Sequence, residues 1–128
     1  MKKSFKKLIE IAKKLRSETG CPWDRAQTIE SLLEGIEEES QEVSEAIKNG
    51  DYSNLKEELG DLLFQIVMIS QVASERGLFD MKDVMDDITK KLIRRHSWVF
   101  GKDKAKTPEE ALAQWQKNKK KEAISHKP

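Results

Sequence analysis

The sequence predicts an all-α fold, a four-helix bundle with a C-terminal helical appendage. Three observations predict it. Apolar residues recur at i, i+3 and i+4 in segment after segment, the period of a half-buried helix. Capping and stopping residues fall between those segments: Ser31 to Glu34, Asn49-Gly50, Arg76-Gly77 and Thr107-Pro108-Glu109-Glu110. No stretch alternates polar and apolar residues with the period of a strand. The 128 residues hold only six Gly and three Pro, with 37% charged and 37% apolar. That suits one helical domain spanning 1–128 and excludes collagen-like, mucin-like and disordered chains.

Five helices follow in order. The first, roughly 3–17, carries Phe5, Leu8, Ile9, Ala12 and Leu15 on one face. Gly20 and Pro22 then break the helix, so Thr19 to Asp24 reads as a loop. A second helix starts at a cap on Thr28 or Ser31, where Ser31 and Glu34 have capping-box spacing, and stops at Asn49-Gly50. The third runs from near Ser53 to Arg76-Gly77, and the fourth from behind Asp80 to about His96. Thr107, Pro108 and Glu110 start a fifth, over 108 to about 122.

Charge is segregated along this frame. Residues 1–28 hold eight Lys/Arg against three Asp/Glu, residues 29–61 two against eleven, and residues 89–128 twelve against four. The total of +1 gives no basic footprint for nucleic acid. An acidic block beside a basic one suggests a cation site facing an anion site, against the plainer readings of solvated faces or mutual salt bridges. The most apolar run, Leu62 to Ala73, is too short to cross a bilayer, so no membrane role is expected. No apolar signal core follows the basic start, and one cysteine, Cys21, excludes an internal disulfide and a multi-Cys zinc site. A cytoplasmic protein is expected.

The acidic block has a pattern. On the second helix Leu32, Ile36, Val43, Ala46 and Ile47 share one stripe; Glu39 falls inside it and Glu42 on its edge. On the third, Leu55, Leu59, Leu62, Ile66, Ile69 and Ala73 form a seam with Glu58 in it and Asp61 to its side. Both acidic pairs have i, i+3 spacing and so lie on one helical face each. Carboxylates in an apolar stripe are costly unless paired, and four converging between two helices would repel without a cation. An all-oxygen donor set suits Mg²⁺, with Mn²⁺ as a possible substitute. A di-iron bundle needs Glu-x-x-His pairs, and neither His96 nor His126 follows a Glu at that spacing.

On the fourth helix Val84, Ile88 and Leu92 define an inner stripe that Lys91 and Arg95 share, with Arg94 farther round. Trp115 and Lys119 lie four apart on the fifth. Inward-pointing cations beside a metal form a grip for polyphosphate, although such residues taken singly are more often snorkelling or salt-bridged. The third helix is apolar nearly all round, with Leu63, Phe64, Val67 and Met68 facing away from the seam. That surplus face calls for a partner chain.

These residues resemble the MazG-type nucleoside triphosphate pyrophosphohydrolases of the all-α NTP pyrophosphatase superfamily. The family motif is Glu-Glu-x-x-Glu, a spacer, then Glu-x-x-Asp; here it is Glu38-Glu39-Ser40-Gln41-Glu42, fifteen residues, then Glu58-Leu59-Gly60-Asp61. Flanking signatures are Cys21-Pro22-Trp23-Asp24, Gln27-Thr28, Lys91-Leu92-Ile93-Arg94-Arg95-His96 and Trp115 with Lys119. The likeness covers roughly 8–119 and departs at Ser97-Trp98, where Pro-His is common. It implies Mg²⁺-dependent hydrolysis between the α and β phosphates, giving the monophosphate and pyrophosphate, with the metal activating water. It places the metal on Glu39, Glu42, Glu58 and Asp61, and makes Glu38 the residue that orients or deprotonates the water. Lys91, Arg95 and Lys119 fall where the family contacts phosphates, with Arg94 beside them and Trp115 packed nearby; Trp23 either stacks on the base or anchors its loop. A homodimer or dimer of dimers is implied. Alternatives are a dUTP- or dCTP-specific pyrophosphatase of the same superfamily, or a non-catalytic helical dimerisation or regulatory module.

Overall fold

The computed structural model describes residues 1–125, and their regular elements are all helices, with no strand among them. The helices are α1 (Lys2–Leu15), α2 (Pro22–Arg25), α3 (Leu33–Lys48), α4 (Tyr52–Glu75), α5 (Met81–Arg95), α6 (Ser97–Phe100) and α7 (Pro108–Ser125). They fall into two compact units, Met1–Met81 and Lys82–Pro128. No helix among the described residues is long and apolar enough to cross a membrane.

In the first unit α4 is the central element and packs most extensively on α3, then on α1. At about 1.5 Å per residue its 24 residues make a rod of roughly 36 Å. Val67, Met68 and Val72 of α4 bury against Ala12 of α1 and Leu32 in the turn before α3, ringed by Leu8, Leu15, Leu63, Phe64 and Met81. Met68 is 1% exposed, so truncating it to alanine should cost about 2–5 kcal/mol.

This core corrects one expectation in part. Leu63, Phe64, Val67 and Met68, which the sequence placed away from the seam, are the covered face of α4. Of the expected seam, Ala73 is fully buried and Ile69 packs against the core, but Leu59 and Ile66 are 49% and 37% exposed, and Ile47 of α3 is 57% exposed. A helix that is apolar all round carries no periodic mark of its inward side. The partners decide it, here α1 and Leu32.

Ends and turns differ in detail. The loop after α1 contains a short helix, α2, because Pro22 is pre-set for a first helical position. Ser31 and Glu34 do not form the capping box. Instead the Thr28 N–H donates to Ser31 Oγ at 2.8 Å and the Ser31 N–H to Thr28 Oγ1 at 3.0 Å, closing a turn before α3. Asp51 caps α4 through Oδ1, which accepts from the Asn54 N–H. Gly50 and Gly77 stop their helices at φ 65 and 70, as the sequence indicated.

Arg16 locks the loop in place. Its guanidinium donates to the carbonyls of Asp24 and Gln27, both at 2.7 Å, and to both carboxylate oxygens of Glu75 at 2.6 and 3.1 Å. One largely buried side chain thus joins the end of α1, the α2 loop and the end of α4.

In the second unit α7 starts as expected, with the Glu110 N–H donating to Thr107 Oγ1. Asn118 of α7 donates to the Arg95 carbonyl at 3.0 Å and to Ser97 Oγ at 2.8 Å, pinning the α5–α6 junction. His96 sits between Trp98 and Trp115, with ring centroids 5.0 and 4.9 Å away. Val84 is half-buried, but Ile88 and Leu92 of the expected inner stripe are 45% and 41% exposed.

Candidate functional site

The α3–α4 hairpin brings the acidic pairs together by arithmetic. A short turn, Asn49 to Asp51, joins the two helices, so they run antiparallel. Counted from Gly50, Glu42 and Glu58 each lie eight residues away, and Glu39 and Asp61 eleven. At about 1.5 Å per residue the members of each couple reach the same height on facing helices. The fifteen-residue spacer is therefore a register device.

Carboxylate oxygens of Glu39, Glu58 and Asp61 lie within 4.8 Å of one another. Glu42 lines the same cavity of about 540 Å³ without an oxygen in that set, and Glu38, Gln41 and Glu45 complete the lining. Among the described residues, no Lys or Arg lines it. Desolvation, then the charge of Asp61, pushes the Glu39 carboxyl above its ordinary value. Glu58 is raised by desolvation, then by Glu42 and Asp61. Glu39 Oε2 is shielded from water and has no hydrogen-bond partner. A buried carboxylate oxygen without a donor, facing two more carboxylates, is the chemistry of a hard-cation site, and the residues fit a divalent metal.

The second unit carries the cations. Lys91, Arg94, Arg95 and Lys119 line a groove of about 490 Å³ together with Lys90 and Glu122. Glu122 takes hydrogen bonds from Arg94 Nε at 2.7 Å and Arg95 Nε at 2.9 Å, and these bonds hold its carboxyl below the usual range. Arg95 also lies 5.5 Å over the Trp115 ring. Trp115 is thus a packing partner for Arg95 and His96, and Glu122 already occupies two of the expected phosphate ligands.

Trp23 lies in the first unit, 74% exposed, on the rim of a pocket of about 370 Å³. Glu38 and Glu39 line both this pocket and the carboxylate cavity.

The sequence model of the MazG nucleotide pyrophosphohydrolase domain matches residues 27–100. The chain belongs to that family. The match spans all five acidic motif residues and Lys91, Arg94 and Arg95; Trp23, Trp115 and Lys119 lie outside it. The MazG chain is 44% identical over 117 residues to the nucleoside triphosphate pyrophosphohydrolase of Escherichia coli K12, covering 91% of this chain and 44% of that one. It is 46% identical over 112 residues to the nucleoside triphosphate pyrophosphohydrolase/pyrophosphatase MazG of Thermotoga maritima, covering 88% and 42%. It therefore spans less than half the length of these relatives. The crystal structure of a mazG-related protein from Thermotoga maritima aligns with a TM-score of 0.74 at 35% identity, over 90% of this chain and 98% of that one.

Sequence reasoning passed over Arg16 and Glu122. They act through partners 59 and 27 residues away, and no local pattern announces such pairs.

Proposed function

We propose that this MazG chain hydrolyses nucleoside triphosphates between the α and β phosphates, yielding the monophosphate and pyrophosphate. The observation that carries the reading is the convergence of Glu39, Glu58 and Asp61, with a buried Glu39 oxygen that has no hydrogen-bond partner among the described residues, in a member of this family. Glu39, Glu42, Glu58 and Asp61 would hold Mg²⁺, with Mn²⁺ able to replace it. When bound, the cation supplies Lewis acidity toward the phosphoryl oxygens.

The chain's own groups do the rest. Glu38 accepts a hydrogen bond from the attacking water and orients its lone pair toward the α phosphorus. As the water oxygen bonds to that phosphorus, its proton passes to the Glu38 carboxylate and on to solvent, the bond to the bridging oxygen breaks and pyrophosphate departs with the electron pair. Lys91, Arg95 and Lys119, with Arg94 beside them, offset the charge on the phosphate oxygens. Arg94 and Arg95 exchange Glu122 for phosphate, so they remain paired with an anion in both states. Trp115 fixes the Arg95 plane, and Trp23 offers its exposed ring to the base.

Residues 1–128 act as one catalytic domain in the cytoplasm. A homodimer, or a pair of them, covers Leu59 and Ile66 of α4, in keeping with their exposure. The test is hydrolysis in ¹⁸O-water with Mg²⁺, read by chromatography and mass spectrometry. Monophosphate carrying the label beside unlabelled pyrophosphate is expected. Diphosphate with orthophosphate, or label in the pyrophosphate, would overturn the proposal.

A further inference from the structure

The cation groove of the second unit holds an anion supplied by the chain itself. Lys90, Lys91, Arg94, Arg95 and Lys119 line it, and Asp87 and Glu122 are the carboxylates among its described lining residues. The two carboxylates differ. Glu122 is bonded to both arginines, one through each oxygen: Arg94 Nε donates to Oε1 at 2.7 Å and Arg95 Nε to Oε2 at 2.9 Å. Its side chain is 15% exposed. Asp87 is exposed and takes neither bond.

The α7 helix is built to deliver that carboxylate. Trp115, Asn118 and Glu122 have i, i+3, i+7 spacing and so share one of its faces. The Trp115 ring lies 5.5 Å from Arg95 Cζ, Asn118 donates to the Arg95 carbonyl at 3.0 Å, and Glu122 takes the Arg95 Nε. Three contacts from successive turns of α7 thus fix its register on the last turn of α5. Arg94 and Arg95 leave α5 about 100° apart, and one carboxylate draws them together. A pair of charged acceptor oxygens is also what a phosphate offers a guanidinium.

We propose that Glu122 is a built-in competitor for the phosphate chain and sets how tightly the groove holds it. The inference rests on the proposed nucleotide function. Glu122 acts through Arg94 and Arg95, as a positioning residue, and not on the substrate itself. A phosphate chain that takes both guanidiniums must first break their bonds to Glu122, which lowers its affinity by the worth of those bonds. Pyrophosphate leaves the same cations after turnover, and a carboxylate ready to retake them favours its departure.

The experiment is calorimetric titration with inorganic pyrophosphate in EDTA, which reads the groove without metal or hydrolysis. Glu122→Gln should bind pyrophosphate about 5- to 50-fold tighter than the wild type, the worth of a partly exposed charge-assisted bond. Asp87→Asn removes the same charge from the groove without freeing a guanidinium, and should gain less than about 3-fold. Thermal melts check that both variants fold. With Mg²⁺ and a hydrolysable triphosphate, Glu122→Gln should lower KM, whereas loss of a mere brace on α7 would raise it. The wild type gives a reading that needs no variant. Its Glu122 carboxyl, held low by the arginines, should rise toward 4.5 in ¹³C NMR titrations as pyrophosphate takes them. Unchanged or weaker pyrophosphate binding by folded Glu122→Gln, an equal gain in Asp87→Asn, no binding by any of the three, or a Glu122 carboxyl unmoved by pyrophosphate would each overturn the inference. Tighter pyrophosphate binding by Glu122→Gln, with no triphosphate turnover by the wild type, would refute the hydrolytic function and leave the competition standing.

Discussion

Replacing Glu39 by glutamine separates folding from function at the carboxylate cluster. The change keeps the shape, removes one charge and places an amide donor beside the other carboxylates. In the metal-free protein Glu39 faces Asp61 at no more than 4.8 Å between carboxylate oxygens. Asp61 is exposed, so the appropriate dielectric is near that of water, and the repulsion relieved is about 1 kcal/mol. The buried Oε2 position also gains an N–H, or an oxygen with less charge to desolvate. Melting in EDTA should therefore show Glu39→Gln at least as stable as the wild type. Mg²⁺ at a hundredfold excess over its dissociation constant should stabilise the wild type by about 2.7 kcal/mol, roughly 10 °C in a domain of this size. The variant should shift far less, and its turnover should fall at least about 100-fold. Equal Mg²⁺ shifts with undiminished turnover would refute the assignment of Glu39 as a ligand.

The carboxyls raised by desolvation and mutual repulsion, Glu39 and Glu58, bind protons more tightly folded than unfolded. Their contribution to stability is fully present below the ordinary value of 4.5 and lost as pH rises through the raised values. Melting temperature in EDTA should thus decline as pH rises above 4.5, and Mg²⁺ should abolish the decline. Glu75, lowered first by its hydrogen bond from Arg16, acts oppositely: its contribution is present above 4.5 and lost as pH falls through the depressed value. Arg16→Ala removes that bond and takes the guanidinium donor from the Asp24 and Gln27 carbonyls, so urea melts should show a loss of about 2–4 kcal/mol. A loss below about 0.5 kcal/mol would mean that Arg16 does not hold the loop. Leu59→Asp with Ile66→Asp should convert a dimeric mass in light scattering to a monomeric one, whereas a monomeric wild type would remove the homodimer.

The helices were largely legible because their signals are local. Gly50 ends α3, Thr107 starts α7, and the i, i+3, i+4 pattern lies between such marks. The acidic site was legible for the same reason, since Glu39 and Glu42, like Glu58 and Asp61, are one turn apart on a helix. A short hairpin turn converts equal counts from Gly50 into equal heights, so the spacer in the sequence already encodes their meeting.

What the sequence determined by itself was the helical class, the motif that marks the MazG family and the register of the acidic pairs. Each depends on neighbours a few residues apart or on counting along a rigid rod. Tertiary structure alone decided which side of α4 is buried, because Leu59 and Ile66 are as apolar as Val67 and Met68 and only α1 and Leu32 distinguish them. It decided that Glu122 holds Arg94 and Arg95 and that Arg16 reaches Glu75. These contacts join residues about 30 to 60 positions apart, where the chain's path through space, rather than any local period, selects the partner.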